Sequence, residues 1–176
     1  NDPATIYRTF DLGAQAITVP HINTKEEALS VVDSGKFAPI GNRGSFTSRQ
    51  GIGVDNYFSQ ANDQTMLIVL IEDIIAVNNL DEILEVDNID VFFVAPGDLA
   101  QTMGFPGGAN RSEVKEVVEG AIRKISSSGK VAGTLAGTEA VGRYIDLGAR
   151  FFSFSYLPWL AQGAEKFHET VQKATQ

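Results

Sequence analysis

The residue order predicts an α/β fold on a parallel sheet, and three observations carry that expectation. Short apolar runs alternate with helix-period stretches along the whole chain, so successive strands are joined by helical crossovers. Met66–Ile71 is apolar at every position, as a strand covered on both faces must be. Several crossovers also carry their own helix start and stop signals. An open doubly wound sheet and part of a (β/α)8 barrel both satisfy this pattern. No G-x-G-x-x-G follows a strand, so a dinucleotide-binding sheet has no motif behind it.

Asn1-Asp2-Pro3 reads as a helix start, because Asp2 can accept from free N–H groups and Pro3 has its φ preset. Ile6 and Phe10 supply the apolar stripe and Gly13 the stop. Ala16–Val19 is a short buried strand ended by Pro20. Thr24 and Glu27 form a capping box for a helix that ends near Gly35. Phe37–Asp55 has no period and holds Gly41, Gly44, Gly51 and Gly53 with Arg43 and Arg49. A loop that long in a compact domain is functional or disordered. Val54–Asn62 is expected as a short helix, Met66–Ile71 as the clearest strand, and the region of Ile75, Leu80 and Ile83 as helical. Val91–Val94 is the next strand. Val114, Val118, Ala121 and Ile122 line one face of a helix over Glu113–Ser127, closed by Gly129. A strand at Val131–Ala136, a helix at Thr138–Leu147, a strand at Phe151–Phe154 and a helix at Leu160–Ala174 complete the order. Phe92, Phe93 and Trp159 are expected in the core and His168 on the surface. Residues 1–176 read as a single domain.

The 176 residues (19.0 kDa) suit one domain with a real core. A hydrophobic share of 43% against 20% charged excludes a disordered chain. A net charge of −8 without a Lys/Arg cluster argues against nucleic acid as a partner. No apolar run is long enough for a bilayer, so no membrane partner is expected. The absence of cysteine excludes zinc–thiolate sites, iron–sulfur clusters and a thiol nucleophile, and suits a cytoplasmic location.

Reactive groups of parallel α/β folds gather where strands end. The first strand ends at Pro20-His21, the second at Glu72-Asp73, the third at Pro96-Gly97-Asp98. Glu72 and Asp98 are the sharpest pair. Adjacent parallel strands lie about 5 Å apart, so two such acids could share one divalent cation. Hard oxygen ligands suit Mg2+ or Mn2+. The plainer alternative is that either acid caps the helix that follows. His21 is either a functional group at this rim or a packing residue. Arg43 could bind a carboxylate or instead order its loop through an ion pair. Gly97 could let a backbone N–H approach a ligand.

These residues, taken together, resemble the HpcH/HpaI aldolase family, the class II metal-dependent pyruvate aldolases. The resemblance rests on Val19-Pro20-His21-Ile22-Asn23-Thr24 with Glu26-Glu27-Ala28, on Gly41-x-Arg43-Gly44, on Ile71-Glu72, and on Ala95-Pro96-Gly97-Asp98-Leu99 with Met103-Gly104. It implies a (β/α)8 TIM barrel of the phosphoenolpyruvate/pyruvate type. The chain would be its C-terminal part, about strands four to eight, because a complete barrel needs roughly 250 residues and about 200 at its smallest. It implies Glu72 and Asp98 as metal ligands, with Mg2+, Mn2+ or Co2+ as the ion. Gly97, Asp98 and position 70 would contact a 2-oxo acid, with an aldehyde as the other partner. The metal-held pyruvate enolate would be the species formed on C–C cleavage. It further implies a homo-oligomer, a hexamer built as a trimer of dimers with the last helix exchanged between subunits.

The sequence departs from the family in three places. The family's base histidine and its pyruvate-binding arginine lie on strands before Asn1, so the catalytic base is unassigned. His21 and Arg43 are expected only to support the site from behind. Many members carry Gln where this chain has Leu70, which cannot hydrogen-bond a substrate. The last strand ends in Ser155-Tyr156-Leu157-Pro158, where many carry an acid. Beside an aldolase, two readings therefore stay open: a condensing or other 2-oxo acid lyase, and a non-catalytic fragment that needs further strands to fold stably.

Overall fold

Five strands form one parallel sheet in the computed structural model, which describes residues 1–45 and 49–175. They are β1 (Ala16–Val19), β2 (Met66–Ile71), β3 (Val91–Val94), β4 (Ala132–Leu135) and β5 (Ala149–Ser153). The helices are α1 (Pro3–Asp11), α2 (Lys25–Gly35), α3 (Tyr57–Gln64), α4 (Ile74–Asn78), α5 (Leu80–Leu84), α6 (Pro96–Thr102), α7 (Ser112–Ser127), α8 (Val141–Asp146) and α9 (Leu157–Ala174).

Strand order decides between the two sheets the sequence left open. The order is β1-β2-β3-β4-β5, each strand beside its successor in the chain. With right-handed crossovers, an unreversed order puts the crossover helices on one face, whereas a doubly wound sheet must reverse. The sheet is therefore a stretch of barrel wall. Its helix-covered face holds the main core, with Phe10, Leu67, Val69, Phe92 and Ile122 packed together. Its other face carries a smaller cluster of Ile68, Val91 and Phe93, flanked by Leu70 and Phe151. Phe92 and Phe93 thus point to opposite sides, as the two-residue period requires, and both are buried.

Local signals behave as the sequence suggested. Asp2 accepts the Thr5 N–H at 2.7 Å at the start of α1. The capping box at α2 is closed in both directions, by the Glu27 N–H on Thr24 and the Thr24 N–H on Glu27. The expected Val54–Asn62 helix is instead Tyr57–Gln64, because Asn56 adopts a left-handed φ of 57° and delays the start. Residues 46–48 of the expected long loop lie outside the described residues. Of the rest, Phe37, Gly41 and Arg43 are buried and most of the other described residues are exposed. A Cβ at Gly41 would stand 2.6 Å from the Val32 and Lys36 carbonyl oxygens, so only glycine lets the chain pass the end of α2.

The core expectation for Trp159 is corrected. It is 53% exposed on α9, where Leu157, Leu160 and Phe167 are exposed too and no residue is buried. The helix leaves the sheet, and Trp159 meets only the ring of Phe154 among the described residues, centroids 4.7 Å apart, which is itself exposed. No helix among the described residues is long and apolar enough to cross a membrane.

Candidate functional site

Counting back by twos from the strand ends shows what faces the barrel side. Leu70 lies two residues before Glu72 and pairs in register with Phe93, which pairs with Gly133, which pairs with Phe151. Gly133 is needed there: a Cβ would meet the Phe93 ring at 2.8 Å. Its absence lets Phe93 and Phe151 meet edge to face, with centroids 6.2 Å apart. These rings, Leu70, Thr18 and Ser153 border an open cavity of about 410 Å³. Leu70 is half-buried and part of an apolar floor.

Glu72 stands at the rim above that floor. It is 3% exposed, yet a buried carboxylate is costly without partners. Part of the compensation comes from His21, at the end of the adjacent strand. The His21 N–H donates to Glu72 Oε1 at 2.9 Å, and His21 Nδ1 lies 3.3 Å from the same oxygen. His21 achieves this in a left-handed conformation with φ of 54°. For a non-glycine residue such a conformation costs about 1–3 kcal/mol and persists only where surroundings enforce it. Its side chain is 69% exposed, so packing does not enforce it. Glu72 Oε2 accepts no hydrogen bond among the described residues.

The capping alternative for Glu72 and Asp98 fails on inspection of the helix starts. Asp73, the next residue, is the cap of α4 and accepts the Ile75 N–H at 2.8 Å. That leaves Glu72 for another task. At α6 the cap position is Ala95, and no side chain caps it. Asp98 sits in the first turn, exposed, with no hydrogen bond to its carboxylate among the described residues. The Ala95 N–H donates to the Ile71 carbonyl at 3.1 Å, which locks the two strand ends side by side and sets both acids on one rim. Gly97 precedes Asp98 in open space, with nothing within 4 Å of where a Cβ would be. Among the described residues no three His, Asp or Glu side chains form a metal cage. Two acids and an unpartnered oxygen therefore fit a hard cation that keeps water and ligand oxygens of its own.

Arg43 does not belong to this rim, and the expectation that it supports the site is corrected. Its Nη2 donates to Asp11 Oδ1 at 2.7 Å, and the side chain is only 1% exposed. The guanidinium lies between the rings of Phe10 and Phe37, 5.0 and 4.5 Å from their centroids. Gln15 and Thr65, the residues just before β1 and β2, border the same small cavity. Arg43 is thus at the opposite end of the strands, ordering its loop. His168 is exposed on α9, as expected. His21 is expected from the sequence to support the site from behind, but its partner Glu72, 51 residues away, could not be read from local pattern. The sequence did hold the signal for the apolar floor, since the two-residue period aligns Leu70 with Phe93.

The fold and rim define a class: an α/β-barrel wall presenting paired acids where its strands end. The comparisons narrow the class. A family model, HpcH/HpaI aldolase/citrate lyase, matches residues 1–156, and the chain belongs to that family. It is 41% identical over 138 residues to the 2-keto-3-deoxy-L-rhamnonate aldolases of Salmonella newport and Salmonella heidelberg, covering 76% of this chain and 51% of theirs. The chain thus spans about half the length of these curated relatives. Among solved structures it is similar to an HpcH/HpaI aldolase from Desulfitobacterium hafniense DCB-2, with TM-score 0.84, 26% identity, and coverage of 98% of this chain and 69% of that one. A family protein from Burkholderia cenocepacia J2315 gives 0.87, 26%, 97% and 70%. A citrate synthase, SbnG, at 23% identity and TM-score 0.83, shares the fold, covering 97% of this chain and 69% of its own.

Proposed function

We propose that the full-length protein is a metal-dependent carbon–carbon lyase that cleaves or forms 4-hydroxy-2-oxo acids. One observation carries this reading: Glu72 is buried and held by one oxygen, while its other oxygen and the Asp98 carboxylate have no hydrogen-bond partner among the described residues. A divalent cation (Mg2+, Mn2+ or Co2+), when bound, supplies Lewis-acid charge to the oxygens of a 2-oxo acid. Glu72 and Asp98 hold it. The backbone N–H groups of Gly97 and Asp98, in the first turn of α6, bind the substrate carboxylate, and no atom lies within 4 Å of where a Gly97 Cβ would be. Leu70, with Phe93 and Phe151 behind it, offers no hydrogen bond and keeps water from the reacting carbon. His21 is engaged with Glu72, so no residue of this chain is assigned as the general base.

Further parts of this reading concern the whole protein. The chain forms the C-terminal part of a barrel, a single domain over residues 1–176. The exposed apolar residues of α9 support a homo-oligomer, with a hexamer as the expected size, and light scattering checks it. A cytoplasmic location suits a chain without cysteine. The substrate suggested by the relatives is 2-keto-3-deoxy-L-rhamnonate. The test is pyruvate release from this and other 4-hydroxy-2-oxo acids, with Mn2+ and with chelator. Cation-dependent release is expected; equal release in chelator contradicts the reading. Leu70 favours a second reading, a condensation or lysis of a different 2-oxo acid, because the floor lacks a polar side chain there. A substrate profile without pyruvate release but with 2-oxo acid consumption would select it.

A further inference from the structure

We infer that His21 makes Glu72 a one-oxygen ligand and thereby sets the rim's preference for a small octahedral cation over Ca2+. This rests on the reading of Glu72 as a metal ligand. Oε1 is already taken, by the His21 N–H at 2.9 Å and beside Nδ1 at 3.3 Å. Only Oε2 has no hydrogen bond among the described residues. Ca2+ accepts six to eight oxygens and readily takes a carboxylate through both, whereas Mg2+ demands near-octahedral geometry and keeps several waters. A carboxylate pinned through one oxygen suits the second kind of ion. To bind through both oxygens, Ca2+ would have to share Oε1 with the His21 N–H and compete with that bond.

The backbone of His21 is the device. Its N–H reaches Oε1 from a left-handed turn at φ 54°, directly after Pro20, where the chain leaves the first strand. Histidine tolerates this region better than most side chains, and a β-branched residue tolerates it poorly. The Asn1 side chain donates to the His21 carbonyl at 3.3 Å and steadies the turn from the other side. His21 acts here through Glu72 and is a positioning residue. Its strain and its exposure, unexplained by packing, are both accounted for by this hold.

Calorimetric titration of the full-length protein with Mn2+ and with Ca2+ tests the inference without an activity readout. His21→Val, which forces the backbone out of the left-handed region, is expected to weaken Mn2+ binding and shrink the Mn2+/Ca2+ affinity ratio by about tenfold. His21→Gly keeps the turn and the N–H, so it should hold the ratio within about threefold of the parent. Glu72→Ala should abolish Mn2+ binding. An unchanged ratio in His21→Val, or a collapsed ratio in His21→Gly, overturns the inference while Glu72→Ala still supports the metal site. If Glu72→Ala binds Mn2+ like the parent, the metal site itself is wrong and the inference falls with it. Should His21→Val not fold by circular dichroism, His21→Ala, which also disfavours the left-handed turn, takes its place: a smaller Mn2+/Ca2+ ratio than in His21→Gly is expected, and equal ratios in the two overturn the inference.

Discussion

The two ends of the strands both bury charge, and they use it differently. At the N-terminal end, Arg43 pairs with Asp11 between two aromatic rings. Nearby, Lys36 donates to the Asn62 and Thr65 carbonyls at 2.7 and 2.6 Å. The Phe37 backbone and the Asn62 side-chain amide exchange two hydrogen bonds. Among the described residues, Arg43 Nε is the buried side-chain atom there that lacks a hydrogen-bond partner. At the C-terminal end, Glu72 is also buried, but among the described residues only its Oε1 is engaged, by His21, whose backbone is left-handed. Internally closed charge builds structure. The proposed metal site rests on the opposite pattern: a buried acid with one oxygen unpartnered among the described residues, beside an exposed acid and an open glycine.

The comparison breaks first at Glu72. Glu72→Ala is expected to lower kcat/KM for pyruvate release about 1,000-fold, roughly 4 kcal/mol of barrier, with the circular dichroism spectrum retained. At the other end the currency is stability. Arg43→Ala removes the 2.7 Å ion pair to the buried Asp11 carboxylate and should cost about 3 kcal/mol in urea denaturation, with Mn2+ affinity unchanged. Lys36→Met leaves two carbonyls without their donor and should cost about 2 kcal/mol.

Lys36 also gives a pH signature. Burial pushes its ammonium below the ordinary lysine value of 10.5, against the weaker pull of Asp90 and Asp63. The unfolded chain therefore holds this proton more tightly than the folded one. Between the lowered value and 10.5, rising pH relieves the burial penalty and adds stability. The difference in urea midpoint between parent and Lys36→Met should shift in the parent's favour over that range. The smallest effect belongs to a surface pair away from both ends. Hydrogen bonds from Arg111, foremost, hold Glu113 down to about 2 from 4.5. Its contribution is present above 4.5 and is lost as pH falls towards 2. The pair is exposed, so high salt should erase the effect in thermal melts.

What the sequence revealed follows the range of the physics. Asp2, the Thr24/Glu27 box and Met66–Ile71 act over a few residues, and each lies where the pattern put it. The strand-end acids were legible because a strand's end is a local event. The choice of barrel wall over doubly wound sheet was not legible in the local pattern, since strand order is a property of the whole chain; it came only with the resemblance to the aldolase family, and the observed strand order agrees. Nor was the fate of Arg43: its partner Asp11 is 32 residues away, and a Gly-flanked arginine reads equally as a ligand group or an anchor. Trp159 misled because an apolar helix face looks the same whether it packs inside its own fold or not.

The most direct test sets the two ends against each other in one experiment. Pyruvate release and urea stability are measured for Glu72→Gln and Arg43→Met in the full-length protein, with saturating Mn2+, at a temperature where both are folded. The account predicts that Glu72→Gln loses turnover while keeping near-parental stability, and that Arg43→Met loses stability while keeping kcat. Turnover retained in Glu72→Gln, or kcat lost in folded Arg43→Met, would contradict it.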